Sequence, residues 1–279
     1  MTLLSGKSIA ERILSETKAR ITESGVTPGL AVVLVGDYIE SQKYVGLKEE
    51  RAKEVGVHFE KFLFPETAAY EEIIGCIETL NGRDDIHGII VQLPLPEGFP
   101  TDDIVACIDP RKDTDGFHQE TLKQFLGGQA SSCPVFPRAI IELIRETKLT
   151  FHGEKAIAVV NSSIIGRVLA FALALEGLQS EYILRGEGTE AVAEAVRDAR
   201  VVVTACGIPD LITADMLSSD AIVIDGGNVH VDGKVQGDVK RDEVEPHVAF
   251  LSPVPGGVGP VTVATLLARV TDAALTKMR

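Results

Sequence analysis

Two spacings of apolar residues alternate along the chain. Short unbroken apolar runs are separated by longer stretches in which apolar residues recur three and four positions apart. Leu30-Ala-Val-Val-Leu-Val35 contains no polar residue, the pattern of a strand covered on both faces of a parallel sheet. Gly36-Asp37 ends it, and the spacing then predicts a helix from Glu40 to Val55 with Gly56 as its left-handed cap. A strand over Val57 to Phe64, a helix from Ala68 to Leu80 stopped by Asn81-Gly82, and a strand His87 to Val91 follow. Gln92-Leu-Pro-Leu-Pro-Glu97 breaks that last strand. Upstream, Ser8 and Glu11 have capping-box spacing, and Ile9, Ile13, Leu14 and Ile21 give the next helix one apolar face. Repeated strand–helix alternation predicts a parallel α/β sheet.

The second half repeats the pattern. Ile140, Ile141, Leu143 and Ile144 predict a helix joining two domains. Beyond it come strands over Ala156–Val160, Glu181–Leu184, Val201–Thr204 and Ala221–Ile224, with helices from Ile164 to Gly177 and from Thr189. This is the order of a nucleotide-binding type of sheet. Near the end, Pro253-Val-Pro-Gly-Gly-Val-Gly-Pro260-Val-Thr262 holds three prolines and three glycines, too many for regular structure. Gly259-Pro260 is expected to start a last helix, continued by Val261, Leu266, Leu267, Val270, Ala274 and Leu275. The loop is either a docking turn or bare backbone set to meet a polar ligand edge.

Composition narrows the class. A chain of 279 residues, 45% hydrophobic and 24% charged, has the length for about two domains and the balance of a globular enzyme. Cys76, Cys107, Cys133 and Cys206 are widely spaced with no C-x-x-C pair, which predicts neither disulfides nor zinc and suggests a reducing cytoplasm. No unbroken apolar run nears the roughly 18 residues of a membrane span, and Lys7, Glu11 and Arg12 interrupt any signal-peptide core. A formal charge of −14 disfavours nucleic acid. His58, His87, His118, His152, His230 and His247 form no ligand-spaced group, and no metal is expected.

Four places carry candidate chemistry. Tyr44 and Lys48 share one helical stripe just beyond a strand's C-terminal end, where open α/β sheets bind ligands. A partly buried lysine there is a candidate general base; a solvated charged face is the plainer reading. Gln92 stands where a dry strand meets two prolines, and hydrogen-bonds either its own backbone surroundings or Lys48. Asp113 and Asp115 in Asp113-Thr-Asp-Gly116 are a cation pair or ordinary turn residues. Arg185, closing the second strand of the later sheet, stands where an arginine accommodates a 2′-phosphate, and Glu187 beside it suits a free ribose hydroxyl instead.

Five stretches occur in one family's order and spacing. Tyr44-Val-Gly-Leu-Lys48, Val91-Gln-Leu-Pro-Leu95, Asp113-Thr-Asp-Gly116, Gly233-Lys-Val-Gln-Gly-Asp-Val239 and Pro253-Val-Pro-Gly-Gly-Val-Gly-Pro260 resemble the bifunctional methylenetetrahydrofolate dehydrogenase/methenyltetrahydrofolate cyclohydrolases, the FolD type. The resemblance covers nearly the whole chain. It implies an α/β fold of two domains: a parallel-sheet folate and catalytic domain over 1–118, and a Rossmann-like dinucleotide domain over 119–260. A C-terminal helix over 261–279 is expected to pack back on the first. It implies oxidation of 5,10-methylenetetrahydrofolate with NADP, then hydrolysis of the methenyl product to 10-formyltetrahydrofolate. Lys48 would be the catalytic lysine, tuned by Gln92, with Tyr44 stacking on the aminobenzoyl ring and Asp115 hydrogen-bonding the pterin. Val91, Leu93, Pro255, Gly256, Gly257, Gly259 and Pro260 would complete the folate site. Asn161, Ser162, Ser163, Gly166, Arg185, Asn228 and Thr262 would bind the dinucleotide. A cytoplasmic homodimer is also implied, with no nucleic-acid or membrane partner.

The dinucleotide half departs from the family pattern. Asn161-Ser-Ser-Ile-Ile-Gly166 replaces a longer glycine turn, and Val168 stands for a proline. Pro134-Val-Phe-Pro137 replaces P-C-T-P, and Arg185-Gly-Glu-Gly-Thr189 replaces H-S-x-T. Asp225-Gly-Gly-Asn228 replaces D-V-G-I or D-C-G-I. These departures predict weaker dinucleotide binding than folate binding, so NAD in place of NADP, or a cyclohydrolase with weak or lost dehydrogenase activity, is the alternative. A non-catalytic folate-binding protein is a further one.

Overall fold

The computed structural model describes residues 1–231 and 233–277. In chain order the first half forms β1 (Thr2–Leu3), α1 (Gly6–Ser24), β2 (Gly29–Val35), α2 (Ile39–Val55), β3 (His58–Phe64), α3 (Tyr70–Asn81), β4 (Gly88–Val91), α4 (Thr101–Ala106) and α5 (Gln119–Leu126). Then come α6 (Val135–Glu146), β5 (Lys155–Val160), α7 (Ser163–Leu175), β6 (Gln179–Leu184), α8 (Thr189–Val196), β7 (Val201–Ala205) and β8 (Ile222–Asp225). The chain closes with β9 (Val229–Val231), β10 (Lys234–Gln236), α9 (Arg241–Val244), β11 (Phe250–Ser252) and α10 (Val258–Lys277). Two compact units result: Glu11–Val135 with Val263–Arg279, and Met1–Ala10 with Phe136–Thr262.

The first unit is built on a parallel sheet in the order β3-β2-β4. Every residue of the central strand β2 is buried, as its unbroken apolar run requires. Ile73, Ile77 and Leu80 of α3 pack with Ala31, Val33, Val35, Ile89 and Val91 beneath one face. Gly56 closes α2 at φ 93°, its N–H donating to the Ala52 carbonyl at 3.0 Å. Asp113 extends the sheet by an isolated parallel bridge to Ile89. Later residues of α10 belong here too, and Arg20 of α1 pairs with Asp272 at 2.5 Å, so the C-terminal helix packs back on this unit as expected. Met278 and Arg279, the last residues of the predicted helix, lie outside the described residues. Over Val258–Thr276, α10 is long and apolar enough to cross a membrane by length and composition, although polar residues interrupt its apolar run. Its apolar side chains Val261, Leu266, Leu267, Val270 and Ala274 are buried within the protein instead.

The second unit carries a six-stranded parallel sheet in the order β1-β11-β8-β7-β5-β6, with α7 and α8 joining its strands and β9-β10 forming a separate antiparallel pair. Its β5-centred crossover order is that of a doubly wound sheet. Val192 and Val196 of α8 pack on Ile157, Val159, Val202 and Val223. A side chain at Gly166 of α7 would stand 2.3 Å from the ring of Tyr182 on β6, so glycine is what lets helix and strand approach.

Tertiary contacts moved several expected boundaries. The first ten residues join the second unit because Thr2 and Leu3 extend its sheet beside Phe250 and Leu251. α1 starts at Gly6, not after Ser8: the Gly6 N–H donates to the Gly256 carbonyl at 2.8 Å, and Ser8 lies inside the first turn. α10 likewise begins at Val258, two residues ahead of Pro260. The short elements β1, α4, α5, β9, β10, α9 and β11 had no periodicity long enough to announce them.

Gly166→Ala is expected to lower the unfolding free energy by about 1–3 kcal/mol, the usual cost of overpacking a closely packed site. Urea denaturation checks it, and an unchanged midpoint would mean that Tyr182 yields freely.

Candidate active site

The buried stripe of α2 runs Ser41, Val45, Lys48, Ala52, Val55, so a lysine occupies a position that the helix turns toward the core. Lys48 is 6% exposed. Its Nζ donates to Gln92 Oε1 at 2.7 Å and lies 4.7 Å from the centroid of the Tyr44 ring, one turn back on the same helix. Gln92 follows β4 directly. Its backbone N–H donates to the Val33 carbonyl at 2.8 Å and its Nε2 to the Leu93 carbonyl at 2.7 Å, which fixes which end of the amide faces the lysine. Val91 behind it is buried, while Leu93 is turned outward. Burial pushes the Lys48 ammonium down to about 8 against the opposing pull of Asp115. The ring and the amide oxygen are the partners that keep a buried cation tolerable.

Asp115 comes from the loop after β4's bridge to Asp113. Burial raises its carboxyl above the ordinary value and Asp113 adds to that, while Lys48 and Arg269 pull it down. The two aspartates have separate tasks. Asp113 accepts the N–H groups of Gly116 and His118, each at 2.9 Å, and so shapes the turn that presents Asp115. Gly116 sits at φ 90°, and a Cβ there would lie 2.7 Å from Pro134 Cα. Arg269 of α10 donates to the Cys133 carbonyl and lies 3.5 Å from that of Asp113. Sequence reasoning missed Arg269; its only signal is a charge inside an apolar helical stripe.

The structure thus brings Tyr44, Lys48, Gln92 and Asp115 together in one unit. Pro255, Gly256, Gly257, Gly259, Pro260 and Thr262 belong to the other, where Pro255 is exposed and the Thr262 hydroxyl donates back to the Val258 carbonyl at 3.0 Å. In that unit Asn161 and Ser163 are exposed at the start of α7, and Ser162 provides no side-chain cap there. The first-turn N–H groups therefore face an open approach. Arg185 and Asn228 are exposed at the ends of β6 and β8. Glu187, beside Arg185, accepts the Leu184 N–H at 3.2 Å. Among the described residues His58, Glu60 and Asp85 converge at metal-ligand spacing. Arg83 holds both carboxylates, at 2.7 and 2.8 Å on Glu60 and 2.5 and 2.9 Å on Asp85, and fills that space with a cation of its own.

Residues 4–115 match the catalytic domain of tetrahydrofolate dehydrogenase/cyclohydrolase, and residues 134–278 match its NAD(P)-binding domain. The chain belongs to the tetrahydrofolate dehydrogenase/cyclohydrolase family. The bifunctional protein FolD of Nautilia profundicola is 37% identical over 98% of this chain and 97% of its own. The crystal structure of the bifunctional FolD enzyme of Campylobacter jejuni is 33% identical, with a TM-score of 0.92 over 99% of each chain. The Trypanosoma brucei enzyme, solved with NADP cofactor and inhibitor, has a TM-score of 0.94 at 28% identity, over 100% of this chain and 98% of that one.

Two departures from the family pattern prove to be one. A side chain at Gly226 would stand 2.9 Å from Cζ of Phe136 and 2.6 Å from the Thr204 carbonyl. The large ring in Pro134-Val-Phe-Pro137 and the missing side chain in Asp225-Gly-Gly-Asn228 occupy the same space at the end of β8. The Phe136 ring and the Thr204 carbonyl together leave no space for a side chain at position 226.

Lys48 also sets a stability prediction. Its pKa falls from 10.5 to about 8 on folding, so below pH 8 the native protein carries the cost of a buried charge, and it sheds that cost as pH rises toward 10.5. Lys48→Met is expected to raise the unfolding free energy at pH 7 by about 1–3 kcal/mol, less whatever the lost Gln92 hydrogen bond contributed. The advantage should shrink between pH 8 and 10.5. Denaturation across that range checks both, and a variant less stable than wild type at pH 7 would contradict the buried-charge account.

Proposed function

We propose that this protein oxidises 5,10-methylenetetrahydrofolate with NADP and hydrolyses the resulting 5,10-methenyltetrahydrofolate to 10-formyltetrahydrofolate. The observation that carries the reading is the lysine buried on α2, held by Gln92 and faced by Asp115, within a chain of this family.

The chemistry follows from the charges involved. When bound, NADP would supply the acceptor for the hydride that leaves the carbon bridging two folate nitrogens, which leaves a methenyl cation on the substrate. Water then adds its oxygen to that carbon. Lys48, with its pKa already lowered to about 8, takes the proton that water releases, and a cation beside it favours the neutral amine further. The adduct opens by breaking the bond from carbon to N5. Protonated Lys48 returns its proton to N5, while the hydroxyl proton leaves to solvent and the formyl group stays on N10. Gln92 orients the amine, and Tyr44 offers its ring to the aminobenzoyl group. Asp115 accepts from the pterin's donor edge, a charge-assisted bond that needs the ionised carboxylate. Val91 and Leu93 flank Gln92. Pro255, Gly256, Gly257, Gly259 and Pro260 are assigned to the folate by the family pattern.

The other unit is fitted for the dinucleotide. The uncapped start of α7 offers N–H groups to a pyrophosphate beside Asn161, Ser162 and Ser163, and Gly166 lets the helix lie close on its strand. Arg185 would pair with the 2′-phosphate, which favours NADP over NAD. Asn228 and Thr262 complete the site. The Phe136–Gly226 exchange preserves packing at the end of β8, which supports a working dehydrogenase over a cyclohydrolase that has lost it. The chain works as a cytoplasmic homodimer in this proposal, which sedimentation of the purified protein checks.

Purified protein should reduce NADP with methylenetetrahydrofolate and speed methenyl hydrolysis above background; absence of both rates would end the reading. Lys48→Met is expected to lower hydrolysis by about 10²–10⁴, the range for a lost acid–base group. Asp115→Ala should weaken binding of a folate analogue by about 1.5–3 kcal/mol. Calorimetry measures that loss, and undiminished affinity would return Asp115 to the status of a turn residue.

A further inference from the structure

The motif Gly233-Lys-Val-Gln-Gly-Asp-Val239 takes no part in the chemistry above, yet its aspartate is fully buried. Asp238 Oδ2 accepts the Cys206 N–H at 2.7 Å, and Oδ1 accepts the Ile208 N–H at 2.8 Å. Both oxygens thus hold the loop that leaves β7. Asp238 is itself held: its own N–H donates to Asp225 Oδ1 at 3.0 Å, and the next N–H, of Val239, donates to Asp225 Oδ2 at 3.1 Å. A side chain at Gly227 would stand 2.5 Å from the Asp238 carboxylate carbon, so the carboxylate packs where only a glycine leaves it space. Between the Cys206 and Ile208 N–H groups along the chain, the Cys206 carbonyl accepts Arg185 Nη1 at 3.0 Å.

The backbone from Cys206 to Ile208 therefore joins a buried carboxylate, which holds its N–H groups on both sides, to an exposed guanidinium held by the carbonyl between them. We infer that Asp238 is a positioning residue for dinucleotide selection: by holding the Cys206 and Ile208 N–H groups on either side of the Cys206 carbonyl, it sets where Arg185 meets the 2′-phosphate. The inference rests on the reading of Arg185 in the proposed function and adds the residue on which that reading depends. A carboxylate suits the task because it accepts two N–H groups at once, one on each oxygen. An asparagine has one accepting oxygen, so Asp238→Asn sets an NH₂ against one of the two loop N–H groups. The backbone that places the Cys206 carbonyl then loses its anchor, and with it Arg185. The nicotinamide and adenine ends of the dinucleotide do not depend on that guanidinium, so NAD should be affected far less than NADP.

The test is calorimetric affinity of the full chain for NADP and for NAD, with circular dichroism to confirm folding. Wild type should prefer NADP. Arg185→Gln should cut NADP affinity by about tenfold or more, as expected when a charge-assisted pair is lost. Asp238→Asn should lower it similarly, with NAD changing by less than about threefold. Gly227→Ala, which crowds the carboxylate without altering its charge, should also reduce the preference and carries the test if the asparagine variant does not fold. If Arg185→Gln lowers the preference but both other variants keep it, the role of Asp238 is overturned and the Arg185 reading stands. If Arg185→Gln itself keeps the preference, that reading fails and takes this inference with it. Equal losses for NADP and NAD in Asp238→Asn would reduce the residue to a general loop anchor and overturn a role in selection.

Discussion

A parallel sheet buries its strands on both faces and releases all of them at one edge, where backbone N–H groups leave the ladder while still shielded from water. Those groups must find acceptors. In this protein three buried aspartates provide them. Asp113 takes the N–H groups of Gly116 and His118 beyond β4. Asp225 takes those of Gly227, Asp238 and Val239 at the end of β8. Asp238 takes those of Cys206 and Ile208 after β7. Each carboxylate converts the start of a loop into a fixed shape, and every candidate functional side chain on those loops inherits its position from that arrangement. For Asp225 the balance is close: burial pushes its carboxyl up to about 6, and the three N–H groups act against that shift.

The same buried edge makes the lysine chemically useful. An ammonium on the core-facing stripe of α2 loses hydration, and the partners within reach, one amide oxygen, one aromatic face and one carboxylate, replace it only in part. The shortfall appears as a lowered pKa, which lets a lysine shed its proton near neutrality. Stability and chemistry are therefore in opposition at Lys48, a common arrangement at functional sites. Arg269 belongs to the same balance from α10, where it braces the Cys133 and Asp113 carbonyls and draws the Asp115 carboxyl downward.

In the dinucleotide unit, positions that are far apart in the pattern meet in space. Phe136 and Gly226 are separate departures along the chain, ninety positions apart in number, yet they are one exchange of volume in space. No periodicity or motif records such compensation, because packing depends on which residues meet. Arg185 and Asp238 illustrate the same point, joined through the backbone on either side of a cysteine that neither motif contains.

The sequence by itself determined the strands and long helices. An unbroken apolar run such as Leu30–Val35 has few alternatives to a buried strand, and Gly56 ends α2 where only a left-handed residue will do. It also determined the family, through loops whose prolines and glycines allow little variation, and it marked Tyr44, Lys48, Gln92 and Asp115. Only the tertiary structure decided that Lys48 faces inward, since charged neighbours on α2 make an exposed face equally consistent with the spacing. It alone put β1 beside β11, started α1 against the Gly256 carbonyl, and brought Arg269 to the Asp115 loop. The reason is common to all of these. Local spacing records what a segment prefers by itself, whereas burial, a shifted pKa and a shared hydrogen bond depend on neighbours that the chain brings close only when it folds.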